Sequence, residues 1–261
     1  MFRSNAMTAD SSSAGDPRRS LELLWGLAPV RRRGPRPRHS VEQIAVAAIE
    51  LADAEGLSAL SMRRVADRLK VATMSLYTYV PSKAELIDVM LDRVYGETPK
   101  AYAPGSSWRA RLEQVARDNW DLYHRHPWML QVVMHRPVLG PNMIAKFDFE
   151  LRAIDGQGLR DLEMDHVISL ISNYVHGAAR SAVEAMQAES RTGISDAQWW
   201  EISGPLLEKV FDPTQFPTAA RVGAAAGEAY EAVGDPERAF AFGLDRVLDG
   251  LEALIAKRSA G

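Results

Sequence analysis

Between Ser40 and Tyr95 apolar residues recur at helical spacing, broken at short intervals by cap and corner residues. Ile44, Ala48 and Leu51 mark the buried stripe of a helix running to about Glu55. Ser40 and Gln43 have capping-box form ahead of it, and Gly56 suits its C-terminal turn. Val65, Ala66 and Leu69 share one face of a second, short helix. A tight Lys70-Val71-Ala72 corner follows, and Thr73 is placed to cap a third piece, Met74 to Tyr79. Pro81 ends that piece, because proline drives the preceding residue out of helical geometry. Ser82 and Glu85 open a fourth helix, about Lys83 to Tyr95, with Leu86, Val89, Met90 and Val94 at helical spacing. The expected core of this unit is Ile44, Leu51, Leu60, Val65, Leu69 and Leu76.

Gly96 to Ser107 contains two prolines and reads as a linker. The pattern beyond it predicts helices over Trp108–Arg125, Trp128–His135 and Asn142 to about Ile154. Asp165 to Glu189 is apolar on more than one face, as a helix sandwiched between neighbours must be. Ser195 and Gln198 cap a helix to about Phe211. Residues 212–234 leave two readings open, a flexible loop or a frayed helix over Ala219 to Val233. Asp235 caps a last helix, on which Phe240, Leu244, Val247, Leu251 and Leu254 recur at spacings of 4, 3, 4 and 3, a bundle seam. Upstream, Leu21 to Leu27 forms an apolar patch of one or two helical turns. There is no strand-like alternation and no internal repeat, so the fold class is all-α.

Composition changes this picture little; charge distribution changes it more. The net charge of −3 hides +5 over residues 1–40, −2 over 41–100 and −6 over the remainder. A basic end on an acidic body fits a DNA-contacting terminus. Arg31, Arg32, Arg33, Arg36 and Arg38 are interspersed with Gly34, Pro35 and Pro37, which keep the segment extended. Either this is a solvated linker, or it is an arm whose arginines enter the minor groove. Residues 1–39 are therefore expected to be a disordered or extended basic arm. Ser4-Asn5-Ala6 ahead of Met7 reads as a cloning remnant, with Met7 as the natural start. No apolar run approaches the roughly 18 residues of a membrane span, and no secretory pattern is present. Cysteine is absent, which excludes disulfides and thiolate metal sites. A cytoplasmic location is the simplest expectation.

Two short helices joined by a tight corner form a helix-turn-helix. Thr73, Ser75, Tyr77, Thr78 and Tyr79 give the second of them a density of hydroxyls suited to phosphate oxygens and base edges. The ordered motifs ALSMRRVADRL, MSLYTYV and PSKAELID resemble the DNA-binding domain of the TetR (tetracycline-repressor) family over about Ser40 to Tyr95. Lys70 departs from that pattern, since the family usually has glycine there. The resemblance implies a DNA-binding domain over 40–95 and a helical ligand-binding and dimerisation domain over 96–261. It places Thr73, Met74, Ser75, Tyr77, Thr78 and Tyr79 on the recognition helix. It also matches Arg63 to a guanine contact, and Ser61, Tyr77 and Lys83 to phosphate contacts. It implies a homodimer on a roughly palindromic operator, pairing through helices at about 165–189 and 236–257, and the 4-3 seam suits that role.

Ser169, Asn173, His176 and Arg180 form a polar stripe on the long helix, at spacings of 4, 3 and 4. It reads either as a solvated face or as the polar side of a ligand pocket. Trp120, Tyr123, Met129, Met134, Phe147 and Tyr174 are candidates for the apolar walls, each also an ordinary core residue. Signals for catalysis are poor. His124 and His126 point to different faces and are expected near a helix end, partly exposed. There is no glycine-rich phosphate loop, G-x-S-x-G or H-E-x-x-H. No catalytic residue, metal ligand or cofactor is assigned. The leading expectation is a repressor released from DNA by a small apolar, aromatic effector. The alternatives are an architectural DNA-binding protein without an effector and a helical enzyme with a regulatory DNA-binding end.

Overall fold

The computed structural model describes residues 11–12, 15–27, 39–134, 136–230 and 234–259. The first long helix, α2 (Val41–Glu55), begins where its capping box requires. Ser40 Oγ accepts from the Gln43 amide at 3.1 Å, and Gln43 Oε1 accepts from the Ser40 amide at 3.0 Å. A 3₁₀ turn, Leu57–Ala59, leads to α3 (Met62–Leu69), capped by Ser61. Lys70 then takes a left-handed conformation, φ 57° and ψ 43°, the one positive-φ residue other than glycine among the described residues. The turn this makes leaves Ala72 extended at the cap of α4 (Thr73–Leu76), with no side-chain cap. Thr73 is thus inside α4 and does not cap it, because the corner closes one residue sooner than the pattern suggests. Ser82 caps α5 (Lys83–Tyr95). Ile44, Leu51, Leu60, Val65 and Leu76 are buried together as expected, while Leu69 is half-buried at the rim.

The larger unit is built from α6 (Trp108–Arg125), α7 (Pro141–Leu151), α8 (Asp161–Met186), α9 (Ala188–Thr192), α10 (Asp196–Val210), α11 (Pro217–Tyr230) and α12 (Pro236–Ser259). Helix α8 lies between α6 and α12, which explains its apolar girth. The undecided 212–234 stretch contains α11, so the helical reading holds over Pro217–Tyr230.

Two expectations are corrected. Residues 128–135 do not form an α-helix: Pro127–Gln131 is a 3₁₀ turn, and β2 (Val133–Met134) pairs in parallel with β1 (Ser11–Ser12). The β-branched pair Val132-Val133 favours this extended path. The seam of α12 is used inside the chain: Phe240, Leu244 and Leu251 are buried, with Leu248 beside them, against α6 and α8. Phe240 stacks on Trp120, ring centroids 4.2 Å apart. A 4-3 seam specifies a helical partner but does not say which chain supplies it. Upstream, α1 (Pro17–Leu24) packs along α5.

Candidate nucleic-acid interface and ligand cavity

Arg63, Met74, Ser75, Tyr77 and Thr78 are exposed on the outer side of α3 and α4, while Ser61, Thr73, Tyr79 and Lys83 are half-buried beside them. The Arg63 side chain is 84% exposed, and its ion-pair partner among the described residues is Asp67 at 4.0 Å. The neighbouring arginines are otherwise engaged. Arg64 pairs with Glu55 at 2.5 Å and Arg68 with Glu50 at 2.7 Å, fastening α3 to α2. Arg63 is therefore the α3 arginine with its reach to solvent intact. Thr78 Oγ1 donates to the Ser75 carbonyl at 2.6 Å, so its hydroxyl also closes the turn after α4. Arg31, Arg32, Arg33, Arg36 and Arg38 lie outside the described residues.

Inside the larger unit is a cavity of about 350 Å³, walled by α6, α7, α8, the end of α5 and the Arg136–Val138 segment. Of the ten side chains assigned to a pocket from sequence, Tyr123, Phe147, Ser169 and Asn173 line it. Trp120 and Tyr174 are turned toward α12; the Tyr174 hydroxyl donates to the Phe240 carbonyl at 2.6 Å. Met129 is fully buried core. His176 sits behind the wall with its ring edge-on to Tyr123, centroids 5.5 Å apart. Arg180 is drawn to Glu184 at 3.0 Å and borders a separate groove beside Leu130. Met134 lies in β2. Helical spacing keeps Ser169, Asn173 and Arg180 on one face of α8, but Arg180 lies about 16 Å along the axis from Ser169 and so beyond the cavity.

The floor is polar in a way the sequence did not suggest. Lys146 and Glu150 are both buried and form an ion pair. Asn119 Nδ2 donates to Glu150 Oε1 at 2.9 Å, and Lys146 Nζ stands 5.6 Å from the Tyr95 ring centroid. At i and i+4 on a helix this pair reads as a surface salt bridge; only the packing of α6 and α8 over α7 shows it to be interior. Arg136 is exposed at the rim, without an ion pair among the described residues. Burial pushes the Tyr123 phenol up to about 12, so it is a neutral hydroxyl donor. Burial, with Arg180 assisting, holds His176 below its usual value.

His126 also differs from its expected exposure near a helix end. It is buried, with Nδ1 2.8 Å from Asp53 Oδ1 and Nε2 3.1 Å from Glu97 Oε2. Trp128 Nε1 donates to the same Asp53 oxygen at 2.9 Å, so the group ties α2 to the larger unit. No group of His, Cys, Asp and Glu among the described residues is arranged to hold a metal ion.

Comparison with known proteins agrees with both halves. Residues 44–90 match the family described as bacterial regulatory proteins, tetR family, and residues 99–255 match the tetracyclin repressor-like C-terminal domain. The HTH-type transcriptional repressor DrrR1 of Streptomyces coeruleorubidus is 45% identical over 97% of this chain and 92% of its own. An HTH-type transcriptional regulator of Saccharopolyspora erythraea is 32% identical over 74% of this chain and 79% of its own. Among solved structures, Streptomyces coelicolor ActR in complex with actinorhodin superposes with a TM-score of 0.69 at 27% identity, covering 83% of this chain and 96% of that one.

Proposed function

The chain belongs to the TetR family of bacterial transcriptional regulators, and we propose that it is a homodimeric repressor released from a palindromic operator by an oxygen-rich aromatic acid. The observation that carries this is the placement of α5. Leu86, Met90 and Leu91 of this helix are buried in the hydrophobic core, and α5 packs on α2 of the DNA-reading unit. Its last residue, Tyr95, walls the cavity. One helix therefore spans both sites, and a ligand that moves Tyr95 turns the base of the recognition unit. Two recognition helices must lie about 34 Å apart to enter successive major grooves, so a small rotation spoils the fit.

The cavity supports the ligand class. Tyr95, Tyr123 and Phe147 offer ring faces and edges. Ser169, Ser172, Asn173 and Asn119 offer hydroxyl and amide groups. Lys146 and Arg136 outnumber Glu150, so the charged lining is net cationic. The aromatic effector expected from sequence thus gains polar oxygens and an acidic group. An architectural protein needs no such cavity, which favours the effector-responsive reading. That the relatives are transcriptional regulators supports a non-enzymatic role.

A second copy has surface available to it. Leu162 and Leu170 on α8 and Phe242 on α12 are exposed, and so are Trp199, Trp200, Ile202, Leu206, Leu207 and Val210 on α10. Exposed apolar residues at this density suit an association site, and α8 and α12 remain the helices through which the dimer is proposed, by faces other than the internal seam.

The test is a titration of a dihydroxyanthraquinone carboxylate against the protein with and without an operator duplex selected by this protein from random sequence. Coupling of about 1–3 kcal/mol weakens ligand binding 5- to 150-fold on DNA, and weakens DNA binding equally. Equal dissociation constants in both conditions would remove this compound class as an inducer.

A further inference from the structure

The wall Arg136–Leu139 is one segment thick. Arg136, Pro137 and Val138 face the cavity on one side and a crevice of about 240 Å³ on the other, closed by Pro17, Leu21 and Leu24 of α1. The N-terminal segment crosses the back of this wall and is attached at several points. Ser11 and Ser12 pair with Val133 and Met134 at the start of the wall. Trp25 Nε1 donates to the Leu139 carbonyl at its end, at 2.9 Å. Between these points Ser20 Oγ donates to Asp88 Oδ2 at 2.7 Å, a buried bond to the middle of α5.

The attachment surface on α5 is unusual. Glu85, Asp88 and Asp92 are all buried, on one face at i, i+3 and i+7. Each carboxylate is met by donors from another part of the chain. Glu85 accepts from the Asp16 amide at 3.2 Å, Asp88 from Ser20, and Asp92 from the Met143 amide at 2.9 Å and Asn142 Nδ2 at 3.1 Å. Buried carboxylates are costly without such donors. Two glycines let the chain come this close. A Cβ on Gly15 would collide with the Glu85 carboxylate, and one on Gly140 with the Asp92 carboxylate. The N-terminal segment and the far end of the wall are thus both fitted onto one stripe of the helix that joins the cavity to the DNA-reading unit.

We propose that residues 11–12 and 15–27 form a strap that positions the cavity wall and couples its displacement to α5, with Ser20 and Trp25 as positioning residues. The coupling half rests on the effector reading above; the positioning half does not. An effector that presses on Arg136–Val138 strains the strap, whose other attachment is Asp88. Displacement of the wall then reaches α5 at its middle as well as at Tyr95.

Amide hydrogen exchange on the full chain tests the positioning half. Ser20→Ala and Trp25→Phe should each speed exchange over residues 133–134 and 136–139 by about tenfold while α6 and α8 stay unchanged. Ser20→Thr, which keeps the hydroxyl, should restore the slow rate. Unchanged exchange in both variants, or faster exchange throughout the larger unit, overturns the strap. Titration of the dihydroxyanthraquinone carboxylate against protein and protein–operator complex tests the coupling half. The ratio of the two dissociation constants should fall toward one in Ser20→Ala, and a ratio equal to wild type alongside faster exchange overturns transmission through the strap. If wild-type protein does not bind this probe, the proposed ligand class fails, and the exchange result still decides whether the strap holds the wall.

Discussion

Lys70 occupies a backbone conformation that glycine takes without penalty, φ 57°. Left-handed geometry costs an L-residue with a side chain about 1–2 kcal/mol, offset in part by glycine's greater unfolded entropy. Lys70→Gly should therefore stabilise the protein by about 0.5–1 kcal/mol in urea denaturation. If the ammonium meets a phosphate, the same variant reduces the log–log salt slope of DNA binding by about 0.9. Arg63→Ala should relax preference at one position of each half-site, a loss of about 1–3 kcal/mol against the preferred base. Uniform weakening on all sequences would instead make Arg63 a phosphate contact. In the cavity, Lys146→Met leaves Glu150 buried without its cation and should destabilise the chain by about 3 kcal/mol. Lys146→Met with Glu150→Leu should recover most of that stability while binding of the acidic ligand is lost. His176 gives a pH signature. Its folded value lies below the usual 6.5, so its stabilising contribution is complete above pH 6.5. As pH falls below that, the unfolded chain takes up a proton that folded His176 refuses, and stability drops. Thermal melts of His176→Gln should show a flatter pH dependence over that interval.

At the scale of elements, α10 and α12 differ in how their apolar residues are covered. The apolar stripe of α12 is covered by its own chain, whereas α10 has no buried residue. Leu248→Ala should therefore cost about 2–5 kcal/mol of subunit stability, read by denaturation. Leu251→Asp should unfold the larger unit and would not simply yield monomers. Leu206→Glu lies on the exposed face, where a substitution changes subunit stability by roughly 0.5 kcal/mol or less. It should shift sedimentation toward the monomer if α10 contributes to the dimer, and an unshifted profile would return α10 to the solvent-facing surface.

For the whole molecule, the proposed release from DNA depends on a path from cavity to recognition helix. That path contains α5, fixed to α2 by its buried face, and the His126–Asp53–Trp128 group fixes α2 to the larger unit a second time. Asp53→Asn should leave cavity binding intact in the absence of DNA and reduce the coupling between ligand and operator, measured by the same paired titrations. No helix among the described residues is long and apolar enough to cross a membrane.

The sequence alone determined the local features. Caps at Ser40, Ser82 and Ser195, the order of helices around the corner at Lys70, and the core from Ile44 to Leu76 follow from nearest-neighbour sterics, hydrogen bonding and a 3.6-residue period. Those quantities are written in consecutive residues. Tertiary structure decided which partner each apolar face meets. It sent the Phe240–Leu251 seam inward, buried the Lys146–Glu150 pair that resembles a surface bridge, and brought Arg136 and Asn119 to one cavity from segments distant in sequence. It also turned Trp120, Met129, Tyr174, His176 and Arg180 away from that cavity. Burial of a charge and convergence of side chains depend on contacts between remote segments, and helical periodicity within one segment carries no record of them.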